Sequence, residues 1–454
     1  MANVTIEQNP GAYNMAYGAN PVTLIGAPLG GKYVLRVLVD SVIVADIRQT
    51  PNISNAAVFD LQNILQSLVN TSDLNIETTE EWIDSAREGA KYQIAYGSED
   101  FAGNIVINGT TGFYELLSGR KEYYEVLWDS EPYTPFVEGD DSIPTCTIIA
   151  SQGKAFTDLP LYRADKFGPE RPPQVAAQDM VHRVELTRED FMTMSWMNKV
   201  VQDDPPAGSN VTQIAGATVF EWDSAGSIGS YSVFNTTQTG GGPDAQPGDG
   251  VAVQYPYSAI TLGVGPENRE QDNDPSTTHY WVLPQAYNPC GTTQLTYRAS
   301  NTPIRIDIVE PNCNDYEHIQ FSWTNSYGFR DYYTFTKKNE KRLRINKNNF
   351  LMDAANYAMD TYDITRQTRG TTTYSQKIEL QYTATTDYMT DEEAKYLENL
   401  FMAPDVRVRF GKEGFFEPVT ILTSSYTQKT NRKDQLFQYE VQFKRAHGIK
   451  SQRG

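Results

Sequence analysis

Apolar side chains recur at every second position through much of this sequence, and only a few stretches show helical spacing. The clearest stretch is Gln320–Phe335, where two aromatic-rich halves flank Asn325, Ser326 and Gly328. Asn and Gly tolerate the positive φ of a tight reversal, so the stretch predicts a β-hairpin. Trp323 and Phe335 carry rings large enough to anchor neighbouring strands. Tyr33–Val39 and Val42–Ile47 predict a second strand pair, turning at Asp40-Ser41. Further strands are expected around Tyr92–Tyr96, Ile105–Ile107, Val181–Leu186, Thr218–Trp222, Tyr280–Leu283 and Ile304–Val309. The C-terminal third adds Lys341–Ile345, Thr372–Thr383, Val406–Phe410, Val419–Ser424 and Phe437–Phe443.

Helices are expected in few places. Leu61, Ile64, Leu65 and Leu68 recur at helical spacing behind Asp60, a good N-cap. Thr390 and Glu393 form a capping-box pattern ahead of Ala394, Leu397, Leu400 and Phe401, and Pro404 stops the helix. Glu189–Val201 predicts a short helix carrying Phe191, Met192, Met194 and Trp196, while Glu80–Ala90 fits either a polar helix or the approach to a strand. Met352–Ala358 reads as helical or irregular. The fold class that follows is mainly β and multi-domain, with β-sandwich-like domains each holding one or two short helices.

With 454 residues the chain exceeds what one core holds. Residues 1–30 are rich in Gly and Pro and predict an extended arm that would need a neighbour to lie on. The proline-punctuated stretch Leu159–Pro173 divides a β-rich domain with one helix (31–160) from a β domain with long loops (174–320). A C-terminal β-sandwich-like domain with one helix (321–446) and a polar tail (447–454) complete the division. The glycine run within Thr236–Gly250 lacks the Lys-Ser/Thr of a phosphate loop and reads as an exposed loop.

Charge is segregated. The net charge is −19, yet residues 301–454 hold 22 basic and 20 acidic residues, leaving 16 basic and 37 acidic in 1–300. Such an acidic two-thirds argues against nucleic acid as a partner, since phosphate binding needs a positive field. No apolar run is long enough for a transmembrane helix, and Met1–Pro21 lacks the pattern of a secretory signal. Cys146, Cys290 and Cys313 match no zinc spacing and are expected as free thiols of a reducing compartment, a Cys290–Cys313 disulfide being the alternative. His182, His279, His318 and His447 show no two-His helical spacing. Acid clusters such as Glu138, Asp140 and Asp141, or Asp272 and Asp274, read as solvated loops and lack the ordered spacing of a calcium loop. The expectation is therefore no catalytic residue, no metal and no cofactor.

The feature that does point to contact is the basic run Lys337, Lys338, Lys341, Arg342, Arg344 and Lys347. It suits an exposed hairpin face or a salt-bridging face toward an acidic partner, and the first 300 residues of another copy would be one. Lys337, Lys338, Lys341, Arg342 and Arg344, with Trp323 and Tyr332 of the hairpin just before them, are the interface candidates.

Three strings carry a family resemblance: Trp323-Thr-Asn-Ser-Tyr-Gly-Phe-Arg-Asp-Tyr-Tyr-Thr-Phe335, Tyr388-Met-Thr-Asp-Glu-Glu-Ala-Lys-Tyr-Leu-Glu-Asn-Leu400 and Phe437-Gln-Tyr-Glu-Val-Gln-Phe443. Together with Tyr33 to Leu65, they resemble uncharacterised structural proteins of tailed bacteriophages. The resemblance covers roughly the first 70 and last 150 residues. It implies a virion component of the tail, baseplate or neck, assembled in the host cytoplasm and docking on other virion proteins and on copies of itself in a ring. It brings no functional residues with it. The alternative reading is a host-surface receptor-binding module, with Trp222, Tyr231, Tyr255, Tyr257 and Trp281 stacking on sugars.

Overall fold

The computed structural model describes residues 4–10, 13–26, 31–69, 82–84, 89–120, 155–197, 216–234, 259–269, 275–287, 295–298, 303–310, 316–351, 370–411, 414–423 and 438–447. Cys146, Cys290 and Cys313, the Thr236–Gly250 loop, the acid clusters at 138–141 and 272–274, Met352–Ala358, Tyr255 and Tyr257 lie outside them. The described residues are mainly β, arranged in several sheets with two short α-helices. The chain divides into two compact units: Met1–Glu310 with Trp323–Tyr332, and Pro311–Ser322 with Tyr333–Gly454.

The first unit begins with a sandwich. Thr5–Gln8, Pro21–Ile25 and Ala56–Asp60 form a three-stranded sheet. A six-stranded sheet contains Tyr13–Met15, Tyr114–Leu117, Gly89–Glu99, Lys32–Val39 and Val42–Gln49 in that order, with Ile105–Thr110 also pairing on Gly89–Glu99. Val22, Leu24 and Phe59 of the smaller sheet and Tyr33, Leu35, Val37, Tyr92 and Ile94 of the larger share one core. This is period-2 patterning seen from both sides of a sandwich. The Asp40-Ser41 turn has φ of 49° and 66°, the mirror-image geometry whose twist matches the two strands it joins. Helix Gln62–Leu65 closes the same core with Leu61 and Leu65, and the Asp60 carboxylate accepts from the Gln62 amide at 3.0 Å.

The described residues among 1–30 depart from the extended arm expected. Their short strands pair within the unit, and Val4, Ala16, Val22 and Leu24 are buried in the sandwich. Runs of three to five residues are too short to display their period, while Gly and Pro between them read as irregular. Glu189–Val201 also departs from its expected helix. Thr193–Met197 is a strand paired with Ala259–Gly263. Met192, Met194 and Trp196 do fall at every second position, and all three are buried. Trp82–Asp84 is a strand too, on the far edge of Ala259–Gly263. That pairing ties residues before 160 to residues after 174, so the proline-rich stretch does not separate two units.

The remaining sheet of the first unit runs Leu161–Arg163, Met180–Leu186, Ile304–Ile308, His279–Tyr287, Gly216–Trp222, Ser227–Phe234, with Leu295–Arg298 on His279–Tyr287. Trp281 and Leu283 face a cluster with Trp222 and Val181. Tyr280, on the opposite face, donates its hydroxyl to the Val264 carbonyl at 2.7 Å.

In the second unit, Val406–Phe410, Glu417–Ile421, Glu440–Arg445, Thr371–Thr385 and Asn339–Leu351 follow one another in a sheet that also takes in the Ile319–Thr324/Arg330–Phe335 hairpin. Its core is aromatic: Phe321 lies 4.7 Å from Phe335 and 5.0 Å from Phe443, and Tyr382 lies 4.8 Å from Phe410 and 5.4 Å from Phe443. Helix Asp391–Met402 starts as its sequence predicts. The Thr390 hydroxyl accepts from the Glu393 amide at 3.4 Å, and the Thr390 amide donates to Glu393 Oε2 at 2.8 Å.

Candidate docking surface

Among the described residues, one polar cluster faces inward and one polar ribbon faces outward. The inward one is the tip of the Ile319–Phe335 hairpin. Asp331 is 1% exposed. Its carboxylate accepts the Thr157 hydroxyl at 2.6 Å, the Asp158 amide at 2.9 Å and the Asn325 side-chain amide at 3.2 Å. Asp158 in turn accepts the Ser326 amide at 2.7 Å and the Ser326 hydroxyl. Burial, reinforced by the neighbouring Asp158 charge, pushes the Asp331 carboxyl up to about 7 against the pull of those donors. A perturbed carboxyl often marks a catalytic site. Here both oxygens are occupied by the chain's own donors and the group is sealed from solvent, so the cluster reads as a latch. Asn325 completes it: its Oδ1 accepts the Tyr327 and Phe329 amides at 3.0 Å each, shaping the turn whose Gly328 has φ 94°. Phe329 stacks on Phe156 at 4.9 Å, and Met15, Leu117 and Tyr327 join them.

The outward one is the ribbon of Asn339–Leu351 with Thr371–Thr385. The two strands pair along their full length, from Asn339↔Ala384 to Leu351↔Thr371. Strand Glu440–Arg445 accompanies Thr371–Thr385 only over residues 381–385. Tyr382 and Ala384 are buried at that base. Beyond it, among the described residues, the two strands have only each other in the sheet for about 30 Å, at roughly 3.3 Å per residue. A two-stranded ribbon is marginal in water without a face to cover. This one has an apolar stripe: Leu343 pairs with Leu380 and Ile345 with Ile378 on one face, and Leu343 and Ile345 are 53% and 43% exposed. Phe350, Leu351 and Tyr374 extend the exposure. The other face carries Arg342, Arg344, Glu379 and Lys377, with Arg344 directly opposite Glu379. Beside the base lies an open groove of about 290 Å³ between residues 376–380 and 444–447.

The interface candidates from the sequence split accordingly. Lys341, Arg342 and Arg344 are exposed on the ribbon, as is Lys347. Lys341 stands 5.8 Å over the Tyr382 ring. Lys337 and Lys338, just before the ribbon, are engaged within the chain, with Asp387 at 2.8 Å and Glu340 at 2.5 Å. Trp323 and Tyr332 are fully buried, and the Tyr332 hydroxyl lies 2.6 Å from that of Thr193, so neither ring offers a surface to a partner. The sequence pattern does not single out the apolar residues Leu343, Ile345, Phe350 and Leu351. Their signal was the length of the paired strands, 13 and 15 residues, more than a sheet of ordinary size covers.

Of the rings expected to stack on sugars, Trp281 is fully buried and Trp222 is 6% exposed against His279, with ring centroids 5.5 Å apart. Tyr231 is partly buried, with the Arg269 guanidinium 5.5 Å from its ring. Among the described residues no group of three His, Cys, Asp or Glu side chains could hold a metal, and no helix is long and apolar enough to cross a membrane.

No known protein family matches the chain, and no curated protein does. Among solved structures, it is similar to the fibronectin(III)-like modules of Clostridium thermocellum CbhA at 9% identity and a TM-score of 0.15, over 69% of this chain and 97% of that one. Salmonella alpha-2-macroglobulin matches at 7% identity and a TM-score of 0.19, over 99% of this chain and 30% of the other. The extracellular region of plexin A4 matches at 8% identity and a TM-score of 0.17, over 100% and 32%. These scores are low, and the chain's own sheets and cores define its fold.

Proposed function

We propose that this protein is a non-enzymatic structural subunit of a tailed bacteriophage virion, in the tail, baseplate or neck, working by docking on copies of itself and on other virion proteins. The observation that carries the docking role is the ribbon. Its aliphatic stripe stands in solvent on strands too long for their own sheet, a layout that gains stability when another surface covers it. The phage context rests on the strings at 323–335, 388–400 and 437–443. A sugar-binding module has less support, because Trp222 and Trp281 have no free ring face.

Negative-stain imaging of the purified chain, alone and mixed with the proteins encoded beside its gene, tests this reading. Rings, tubes or defined complexes are expected. A chain that stays monomeric in every mixture, or that turns over a substrate, contradicts it.

A further inference from the structure

We propose that the ribbon Asn339–Leu351/Thr371–Thr385 docks on the acidic first unit of a second copy of this chain, making a head-to-tail contact. This deepens the structural-subunit reading and rests on it.

Three observations select that occupant. The first is the sign of the ribbon. Its outer strand carries Lys341, Arg342, Arg344 and Lys347 against one carboxylate, Glu340, and every residue from Glu340 to Leu351 is exposed. The second is the edge. Among the described residues Asn339–Leu351 ends its sheet, so its outward backbone groups face away from the strand it pairs with. Lys and Arg on such an edge repel an identical edge, which disfavours ribbon-to-ribbon pairing and favours an anionic surface. The third is the chain's own imbalance: 37 acidic and 16 basic residues in 1–300, against 20 and 22 in 301–454. A second copy therefore carries charge of the required sign in its first 300 residues. Exposed carboxylates within the first unit include Asp40, Asp60, Asp100 and Glu170, while Asp165 and Glu185 are exposed but paired with Arg163 at 2.9 Å and Arg183 at 2.6 Å. The aliphatic stripe of Leu343, Ile345, Ile378 and Leu380 supplies the area to be desolvated, while the cations supply orientation. Because the two surfaces differ, the contact is heterologous, and repetition generates a ring or a filament.

Full-length chain labelled with ¹⁵N, mixed with unlabelled chain and treated with a zero-length carbodiimide cross-linker, reads the contact directly. Hybrid cross-links from Lys341 or Lys347 to Asp or Glu residues in 1–300 are expected. The double variant Lys341→Glu/Lys347→Glu, which reverses charge on the face that carries the stripe, is expected to weaken self-association by about tenfold or more, with its thermal melt unchanged. Hybrid cross-links confined to 311–454, or self-association indifferent to the charge reversal, overturn the inference. If the chain still forms rings in that case, the structural-subunit reading stands and only the choice of surface falls. A chain with no hybrid cross-links and no self-association overturns the inference as well.

Discussion

The hairpin Ile319–Phe335 and the ribbon Asn339–Leu351/Thr371–Thr385 follow each other in the chain and belong to the same sheet. Both are antiparallel pairs rich in aromatic or aliphatic residues. In the hairpin, every residue of Ile319–Thr324 is buried. In the ribbon, every residue from Glu340 to Leu351 is exposed. The hairpin spends its apolar residues on the chain's own cores: Phe321 and Phe335 in the second unit, Tyr327 and Phe329 in the first. The ribbon keeps Leu343 and Ile345 in solvent. Alternation alone therefore does not tell a strand that holds the fold from a strand that meets a partner. What separates them is the charge beside the apolar residues: Arg330 and Asp331 are buried in the hairpin, while Lys341, Arg342, Arg344 and Lys347 stand exposed on the ribbon.

The comparison is broken most easily from the hairpin side. Phe329→Ala removes a ring stacked at 4.9 Å on Phe156 and is expected to cost about 3–5 kcal/mol, read as a drop in the denaturation midpoint. Gly328→Ala is expected to cost at least roughly 1–3 kcal/mol from its left-handed backbone, since the new Cβ would also meet the Ser118 carbonyl carbon at 2.4 Å. The Asp331 latch adds a pH dependence. Its carboxyl sits above the unfolded value, so its contribution is complete below about pH 4 and is lost as pH rises toward about 7. The groups facing it are the Asp158 carboxylate, the Thr157 hydroxyl and the Asn325 amide, with Arg120 acting on Asp158. Unfolding free energies measured from pH 4 to 8 should fall more steeply for the wild type than for Asp331→Asn; parallel curves would show that this carboxyl does not titrate in that range.

Smaller effects sharpen the same contrast. Thr390→Ala removes the capping hydroxyl of helix Asp391–Met402 and should cost about 1 kcal/mol, an effect an unchanged melting temperature would rule out. Leu343→Ser on the ribbon should change monomer stability by no more than about 0.5 kcal/mol while weakening assembly. A large loss of monomer stability there would mean that the residue packs within its own chain.

Much of the fold was legible. The turn at Asp40-Ser41, the hairpin turn at Asn325–Gly328 and the Thr390 capping box are local chemistry, decided by φ preferences and side-chain oxygens within a few residues. The strands at 1–30 and Thr193–Met197 were not legible, because their partners lie far away in the sequence and their runs are short. The same holds for Trp82–Asp84, whose partner strand begins at Ala259. The docking surface was half legible. The cations stood out as a run, whereas exposure of Leu343 and Ile345 depends on where the strand Glu440–Arg445 stops, which no local pattern records. Asp331 could not be singled out among the carboxylates, since its partners Thr157 and Asp158 lie more than 170 residues earlier.

Hydrogen exchange of the full-length chain, compared between dilute and concentrated solution, tests the division of labour most directly. The account predicts that amides of Asn339–Leu351 exchange quickly when dilute and become protected on self-association, while those of Ile319–Thr324 stay protected throughout. Unchanged exchange in the ribbon upon association, or rapid exchange in the hairpin, would contradict it.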